Sequence, residues 1–132
     1  MFVHLSAPVA RALPILDGSP VVAAAGLADM AQVAPLINGF AARGRMLPKT
    51  EEQLFRTFRE FVLAYDDGGR VIGCAALRVY SPELAELSAL AVDEAAHGRG
   101  VGRRLVETII EQAAELGIRR LFAMTMEETF FH

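Results

Sequence analysis

Three closely spaced glycines carry the most specific chemistry that this sequence offers. Gly98, Gly100 and Gly102 follow an apolar segment, residues 87–92, and precede a helical pattern that begins near Arg103. Glycine allows the main chain to turn tightly and to approach a ligand without an intervening side chain. The first N–H groups of a helix have no acceptor within it, and the helix dipole is positive there. The segment therefore predicts a site for an anion, most simply a phosphate.

Other glycine-rich phosphate loops fit this segment poorly. A P-loop requires Lys and then Ser or Thr after its last glycine, whereas this chain has Arg103 and Arg104 there. A dinucleotide-binding loop would place its third glycine at position 103 and would open a βαβ unit. The remaining pattern is Q/R-x-x-G-x-G/A, which residues 97–102 match with His97 in the first position. This strand, loop and helix resemble the acetyl-CoA site of the GCN5-related N-acetyltransferases (GNAT).

The resemblance implies that the loop binds the diphosphate of acetyl-CoA as cosubstrate. The expected cofactor-binding residues are Leu90, Ala91, Val92, His97, Gly98, Arg99, Gly100, Val101, Gly102 and Arg103. The main chain at Leu90 and Val92 is expected to hydrogen-bond the pantetheine and to help polarise the acetyl carbonyl. The family usually has Gln or Arg where this chain has His97, so the histidine is either a diphosphate ligand or a solvated loop residue.

Length and composition fit one globular domain with small-molecule substrates. The chain has 132 residues, of which 53% are hydrophobic, and a net charge of −3. That charge offers no field to attract nucleic acid or an anionic membrane. Prolines interrupt the early apolar stretches, so neither a signal peptide nor a membrane span is expected. One cysteine and three distant histidines predict a cytoplasmic protein with neither an internal disulfide nor a metal site. A homo-oligomer is left open.

The hydrophobic periodicity predicts the elements that position the loop. Residues 1–20 show no sustained period, so we expect an N-terminal arm or linker followed by a domain at 21–132. Expected strands are 20–25, 61–65, 71–80, 84–92 and 118–126. The first expected helix is 27–40, with a kink or restart at Pro35. The second starts at a Thr50–Gln53 capping box and carries an apolar core stripe of Leu54, Phe55, Phe58 and Phe61. The third is 103–116.

This order is similar to the GNAT fold, an α/β (α+β) architecture with a mixed central sheet flanked by helices. That family ordinarily continues through another helix and two strands, whereas this sequence ends at His132. We therefore expect a C-terminally incomplete domain that lacks the last helix and strands. An open sheet edge and an exposed apolar flank would follow, and both invite pairing with another chain.

Within the family, the chain most resembles the N-acetylglutamate synthases. Four segments carry this resemblance: Met46-Leu47-Pro48-Lys49, Gly73-Cys74-Ala75-Ala76-Leu77, residues 85–92 and residues 118–125. The resemblance implies an acetyltransferase of arginine biosynthesis whose acceptor is the α-amino group of L-glutamate. Two alternatives stay open, namely another small amine or amino acid as acceptor, and a non-catalytic module that binds CoA.

The resemblance also assigns roles around the acceptor. Lys49 and Arg120 are expected to bind the two carboxylates of glutamate, with a contact from Leu47, while each charge could instead be a solvated surface group. Arg78 is a weaker candidate for the same role.

Two residues are expected to handle protons during the transfer. Glu86 lies in an apolar strand, where desolvation raises a carboxyl pKa, and is the candidate base, although it could instead face solvent or pair with Arg. Thr125 is the candidate to assist the departing thiolate. Direct transfer is favoured over a covalent route through Cys74, because a cysteine flanked by small strand residues is usually inert.

Overall fold

The structure, a computed structural model, describes residues 2–4, 20–42 and 48–123 of the chain. The strands are β1 (Phe2–His4), β2 (Val21–Ala24), β3 (Phe61–Tyr65), β4 (Val71–Ser81), β5 (Leu84–Val92) and β6 (Arg120–Ala123). The helices are α1 (Met30–Ala42), α2 (Glu51–Arg56) and α3 (Val101–Glu115). Short 3-10 turns lie at Leu27–Asp29, Phe58–Glu60 and Glu94–Ala96.

In the described part of the chain, the six strands form one mixed sheet in the order β1-β6-β5-β4-β3-β2. The pairing of β5 with β6 is parallel, and the other neighbouring strands pair antiparallel. The predicted mixed sheet flanked by helices is thus confirmed. None of the described helices is long and apolar enough to span a bilayer.

Helices bury both faces of the sheet, and alternation along each strand divides the apolar residues between them. On the face that α3 covers, the α3 face, the core includes Ala75, Leu77, Leu87, Val101, Leu105, Ile109 and Leu121. On the opposite face, the α1 face, the core includes Met30, Val33, Ile37, Leu54, Leu63, Cys74 and Ala91. β5 contributes to both cores, so its geometry affects each layer.

The helix after the glycine loop begins earlier than predicted. The periodicity indicated a start near Arg103, whereas α3 begins at Val101 with Gly100 as its N-cap. Val101 and Gly102 are buried in the first turn. The apolar pattern alone missed this turn because Gly102 has low helix propensity, which tertiary packing overrides.

The first two helices differ in part from the expectations. α1 continues through Pro35, so the helix does not restart there, because its buried face packs against the sheet on both sides of that residue. α2 ends at Arg56, so the predicted apolar stripe is divided among three elements, and Phe55 is 41% exposed rather than part of the core. The Thr50–Gln53 capping box is confirmed, with both of its hydrogen bonds present.

The outer edge of β6 is covered by the chain's own N-terminal segment. Residues 2–4 pair antiparallel with β6, so that Val3 lies opposite Leu121. Within the described residues, the short β1 rather than β6 therefore forms this edge of the sheet. The sequence pattern gave no sign of this strand, since three residues are too few to show a period.

The contact between β4 and the first turns of α3 leaves little room for a methyl group at Gly73. A Cβ there would lie 3.0 Å from Leu105 Cδ1, 3.1 Å from Val101 Cγ1 and 3.3 Å from the Ala91 carbonyl oxygen. Gly73→Ala is therefore expected to destabilise the fold by roughly 1–3 kcal/mol through overpacking. The measurement is the midpoint of chemical unfolding.

Gly39→Ala is the matched control for this prediction. Gly39 lies in α1, where an added Cβ meets nothing within 4 Å. Alanine has the higher helix propensity, so this variant should unfold at the same or a slightly higher denaturant concentration. An unchanged midpoint for Gly73→Ala would contradict the described packing of α3 on β4.

Candidate functional site

The loop between β5 and α3 presents main-chain donors at one end of the sheet. Gly98 and Gly100 have φ values of 82° and 77°, in the left-handed region that favours glycine. Gly100 is the N-cap of α3 and has no side chain that could accept a hydrogen bond from the first helical N–H groups. The N–H groups of the first helical residues therefore have no acceptor within the helix and lie at its positive end. This arrangement is chemically suited to an oxyanion.

Hydrogen bonds hold this loop against the sheet. The N–H of Asp93 donates to the carbonyl of Ile72 at 2.8 Å, which extends the β4–β5 ladder by one residue. The Asp93 carboxylate accepts from the N–H of Ala95 at 3.0 Å and pairs with Arg70 at 3.2 Å. Ala96 is buried in the α3-face core. The direction in which the loop leaves β5 is thus fixed before any ligand binds.

His97 bends back onto the strand that precedes it. Its Nε2 lies 3.0 Å from the carbonyl oxygen of Val92, a distance at which the ring N–H donates to that oxygen. The histidine is therefore neither a purely solvated residue nor free to turn both ring nitrogens to a ligand. A carbonyl oxygen has two lone pairs, so Val92 keeps one acceptor position.

The arginines near the loop differ in their surroundings. Arg99 and Arg103 are exposed beside the start of α3. Arg104 is directed along the helix, with its guanidinium 3.8 Å from the carboxylate of Glu111. The positive charge closest to the loop therefore comes from Arg99 and Arg103.

A β-bulge lies in β5, shortly before the loop. Cys74 pairs with Ala91 and Ala76 pairs with Ser88, so β5 carries one residue more than β4 between these pairs. Ala89 at the bulge has φ 52°, the one positive φ among the described non-glycine residues. Such bulges bend a strand and redirect its side chains, and strained backbone of this kind is concentrated at functional sites.

The bulge changes the alternation of β5. Leu87 and Leu90 both pack in the α3-face core although they are three residues apart, while Ala89 and Ala91 pack on the α1 face. The fully buried Cys74 donates its thiol hydrogen to the Ala89 carbonyl, with 3.2 Å between sulfur and oxygen. Cys74 thus provides a partner for a carbonyl that the bulge removes from the ladder.

A polar group lies on the α1 face at the other end of β5. Glu86 is opposite Arg78 of β4 and is half-buried. Its carboxylate accepts a hydrogen bond from the Tyr80 hydroxyl at 2.6 Å. Arg78 in turn lies 3.4 Å from the carboxylate of Glu60. Glu86 is therefore neither solvated alone nor enclosed by apolar side chains, and Tyr80 rather than an arginine is its described hydrogen-bond partner.

β6 brings a further cation to the same face. Phe122 is opposite Glu86 and Arg120 is opposite Leu84, so Arg120 and Phe122 share the face of Glu86. The sheet thus brings together Arg78, Glu86 and Arg120, three of the residues that the sequence assigned to an acceptor site. Pairing of β5 with β6 is described as far as Leu87, before the bulge.

Lys49 is held by its main chain in the connection between α1 and α2. The Asn38 side chain accepts from the Lys49 N–H and donates to the Lys49 carbonyl, both at 2.9 Å. No described contact joins Lys49 to Glu86 or Arg120. Leu47 and Thr125 lie outside the described residues, and so does the part of the predicted last strand beyond Ala123.

Sequence reasoning missed three residues that organise this region: Asn38, Tyr80 and Ala89. An asparagine within a helix is a weak signal, because that residue type usually caps or turns. The hairpin spacing could have placed Tyr80 near Glu86, since only a short turn separates β4 from β5. Nothing in the residue type of Ala89 predicts its positive φ. Among the described residues, no group of three His, Cys, Asp or Glu side chains could hold a metal ion.

Comparison with known proteins agrees with this geometry. Residues 30–130 match the acetyltransferase (GNAT) family. An uncharacterised N-acetyltransferase of Chlorobaculum tepidum is 37% identical over 107 residues, which are 81% of this chain and 68% of that protein. An amino-acid acetyltransferase of Mycobacterium tuberculosis is 34% identical over 117 residues, with 87% and 67% covered.

A solved structure gives the same result for the fold. The N-acetylglutamate synthase of Neisseria gonorrhoeae, complexed with coenzyme A and N-acetyl-glutamate, superposes with a TM-score of 0.78 at 32% identity. The match covers 83% of this chain but 26% of that one. Because the family match spans most of the sequence and includes β3 to β6, the loop and α3, the chain belongs to the GNAT acetyltransferase family.

Proposed function

We propose that this chain transfers the acetyl group of acetyl-CoA directly to the α-amino group of L-glutamate. The observation that carries the donor half is the loop at Gly98–Gly102, whose left-handed glycines and unpaired helical N–H groups suit a diphosphate. Support for the acceptor half comes from the relatives named amino-acid acetyltransferase and from the cations near Glu86 on the α1 face.

The loop and β5 would hold the donor at two points. The N–H groups of Val101, Gly102 and Arg103 would bind the diphosphate, and the exposed Arg99 would add charge beside it. The main chain of β5 from Leu90 to Val92 would hydrogen-bond the pantetheine, and the bulge at Ala89 would orient these groups. Donors fixed in advance stabilise the charge that develops on the acetyl oxygen without reorganisation.

Two carboxylates on the acceptor require two positions of positive charge. Arg120 lies on the same face as Glu86 and can bind a carboxylate with two parallel hydrogen bonds. Arg78 shares this face, which strengthens its candidacy relative to the sequence alone. Lys49 would reach the acceptor from the α1–α2 connection, where Asn38 fixes its main chain.

The reaction needs a base because an ammonium nitrogen has no lone pair. Glu86 would accept the first proton, directly or through a water molecule. The neutral amine then attacks the thioester carbon, the C–N bond forms, and the C–S bond breaks. The leaving thiolate takes up the second proton that nitrogen loses, which gives the amide and free CoA. Assistance from Thr125 in this last step stays a prediction.

The direct route predicts that the single cysteine is unreactive in the folded chain. Burial raises the pKa of the Cys74 thiol to about 12, opposed in part by a main-chain hydrogen bond at Ala91. At pH 8 about one thiol in ten thousand is then ionised, and the thiolate is the reactive form. A colorimetric disulfide reagent should therefore detect no thiol in native protein and one per chain in denaturant. Rapid labelling of native protein would favour the covalent alternative.

Gly100→Val tests the binding of the donor. Gly100 and Gly117 have φ values of 77° and 79° at the two ends of α3, and an added Cβ meets nothing within 4 Å at either position. Each valine should destabilise the fold by roughly 1–2 kcal/mol, because a side chain is strained in this conformation. Gly100→Val alone should raise the Kd for CoA at least tenfold in calorimetry. Equal Kd values for the two variants would refute the loop as the diphosphate site.

Acceptor identity is tested by thiol release from acetyl-CoA with a panel of amino acids and small amines. We expect turnover with L-glutamate and little with glutamine, which lacks the second carboxylate. Arg120→Gln should raise the KM for glutamate about tenfold or more by removing a charged hydrogen bond, with the KM for acetyl-CoA unchanged. Arg119→Gln, next to it in the chain and exposed, is the control. Turnover of another amine in preference to glutamate would show that the acceptor is that amine and not glutamate. Binding of CoA without any turnover would indicate a non-catalytic module.

A further inference from the structure

The chain has two tyrosines, and the hydroxyl of each donates to a carboxylate. Tyr65 bonds Asp29 at 2.8 Å, between β3 and the turn before α1. Tyr80 bonds Glu86, the candidate base, at 2.6 Å. The fold therefore contains two similar hydrogen bonds, of which one adjoins the proposed reaction.

Local geometry directs Tyr80 toward Glu86. Val79 pairs with Ala85 and Ser81 pairs with Leu84, so Tyr80 is the extra residue of a second bulge, this time in β4. A bulge of this kind re-aims a side chain. Tyr80 is 55% exposed, so burial in a core does not explain its placement.

The ring of Tyr80 is also held from the far side of β5. It stacks on Phe122 of β6, with ring centroids 6.0 Å apart and planes inclined by 21°. Phe122 is opposite Glu86 in the parallel pairing. The ring thus extends from β4 over β5 to β6, and this contact keeps the hydroxyl at the carboxylate between them.

We propose that Tyr80 is a positioning residue for Glu86, whose hydroxyl holds one carboxylate oxygen so that the other faces the amine of the acceptor. This inference rests on the proposed role of Glu86 as base. A carboxylate with one oxygen fixed loses less rotational freedom when it takes up a proton in the correct direction.

Two arginines lie near Glu86, but the described hydrogen bond to its carboxylate comes from Tyr80. On β4, Arg78 is opposite Glu86 but pairs with Glu60 of the turn before β3. On β6, Arg120 lies two residues from Phe122 on the same face. The Glu86 carboxylate holds the phenol proton and so raises the pKa of Tyr80, an effect that the nearby Arg78 opposes in part.

The first test compares pH–rate profiles of the wild type, Tyr80→Phe and Tyr65→Phe. Tyr80→Phe should lower kcat about three- to tenfold near neutral pH, because the carboxylate is no longer held in one orientation by the hydroxyl. The KM for acetyl-CoA should stay unchanged. Tyr65→Phe removes the corresponding bond to Asp29 and should leave kcat unchanged.

Glu86→Gln separates this inference from the proposed function. If that variant keeps the acidic limb of the pH–rate profile, Glu86 is not the base and the proposed function loses its proton acceptor. If Glu86→Gln removes the limb while Tyr80→Phe leaves kcat unchanged, the role of Glu86 stands and the positioning role of Tyr80 is overturned.

The second test needs no activity. In the Tyr65→Phe background one phenol remains, and its ionisation can be followed by ultraviolet absorbance. Adding Glu86→Gln should lower the pKa of Tyr80 toward its ordinary value, since the carboxylate that raises it is gone. An identical ionisation midpoint with and without Glu86→Gln would overturn the inference. If Tyr65→Phe does not fold, ring carbon-13 labelling of tyrosine resolves the two phenols in the unmodified background and gives the same comparison.

Discussion

The main-chain N–H groups at the start of α3 must point to a common position without an acceptor of their own. Donors left unpaired in this way are costly unless water or a ligand anion binds them. The surrounding structure satisfies its own hydrogen bonds, since Asp93 bonds Ile72 at the start of β4 and caps the turn at Glu94–Ala96. His97 bonds the last strand carbonyl. The neighbouring hydrogen bonds therefore leave the main-chain N–H groups at the start of α3 available to an external acceptor.

β5 connects this anion site with the proposed chemistry. At its first half, Glu86 meets Tyr80 on the α1 face. Beyond Ser88 the bulge shifts the alternation, so that Leu90 turns to the α3 face and the main chain reaches the loop with a different orientation. The buried thiol of Cys74 bonds the bulge carbonyl at Ala89. The candidate base, the bulge and the candidate ligand loop therefore follow one another along β5, and this one strand sets the position of all three.

The sequence was sufficient for the order of elements from β2 to β6 and for the position of the loop, because both depend on local patterns, whereas β1 was missed. Apolar alternation and glycine spacing located β5 and the turn, and a capping box located α2. The start of α3 was misplaced by two residues because burial of Val101 and Gly102 is a tertiary effect. The bulges were not predictable, since neither Ala89 nor Tyr80 is a residue type that signals one. The hairpin spacing could have placed Tyr80 near Glu86, but their hydrogen bond depends on such a bulge and was missed.

The most direct measurement is an amide NMR titration of nitrogen-15-labelled protein with CoA and, separately, with pantetheine, which lacks the diphosphate. If the outward donors bind the diphosphate, CoA should shift the N–H resonances of Val101, Gly102 and Arg103 strongly. Pantetheine should leave them almost unmoved and should bind more weakly. Tight binding of CoA with these three resonances unchanged, or equal shifts with both ligands, would contradict the account.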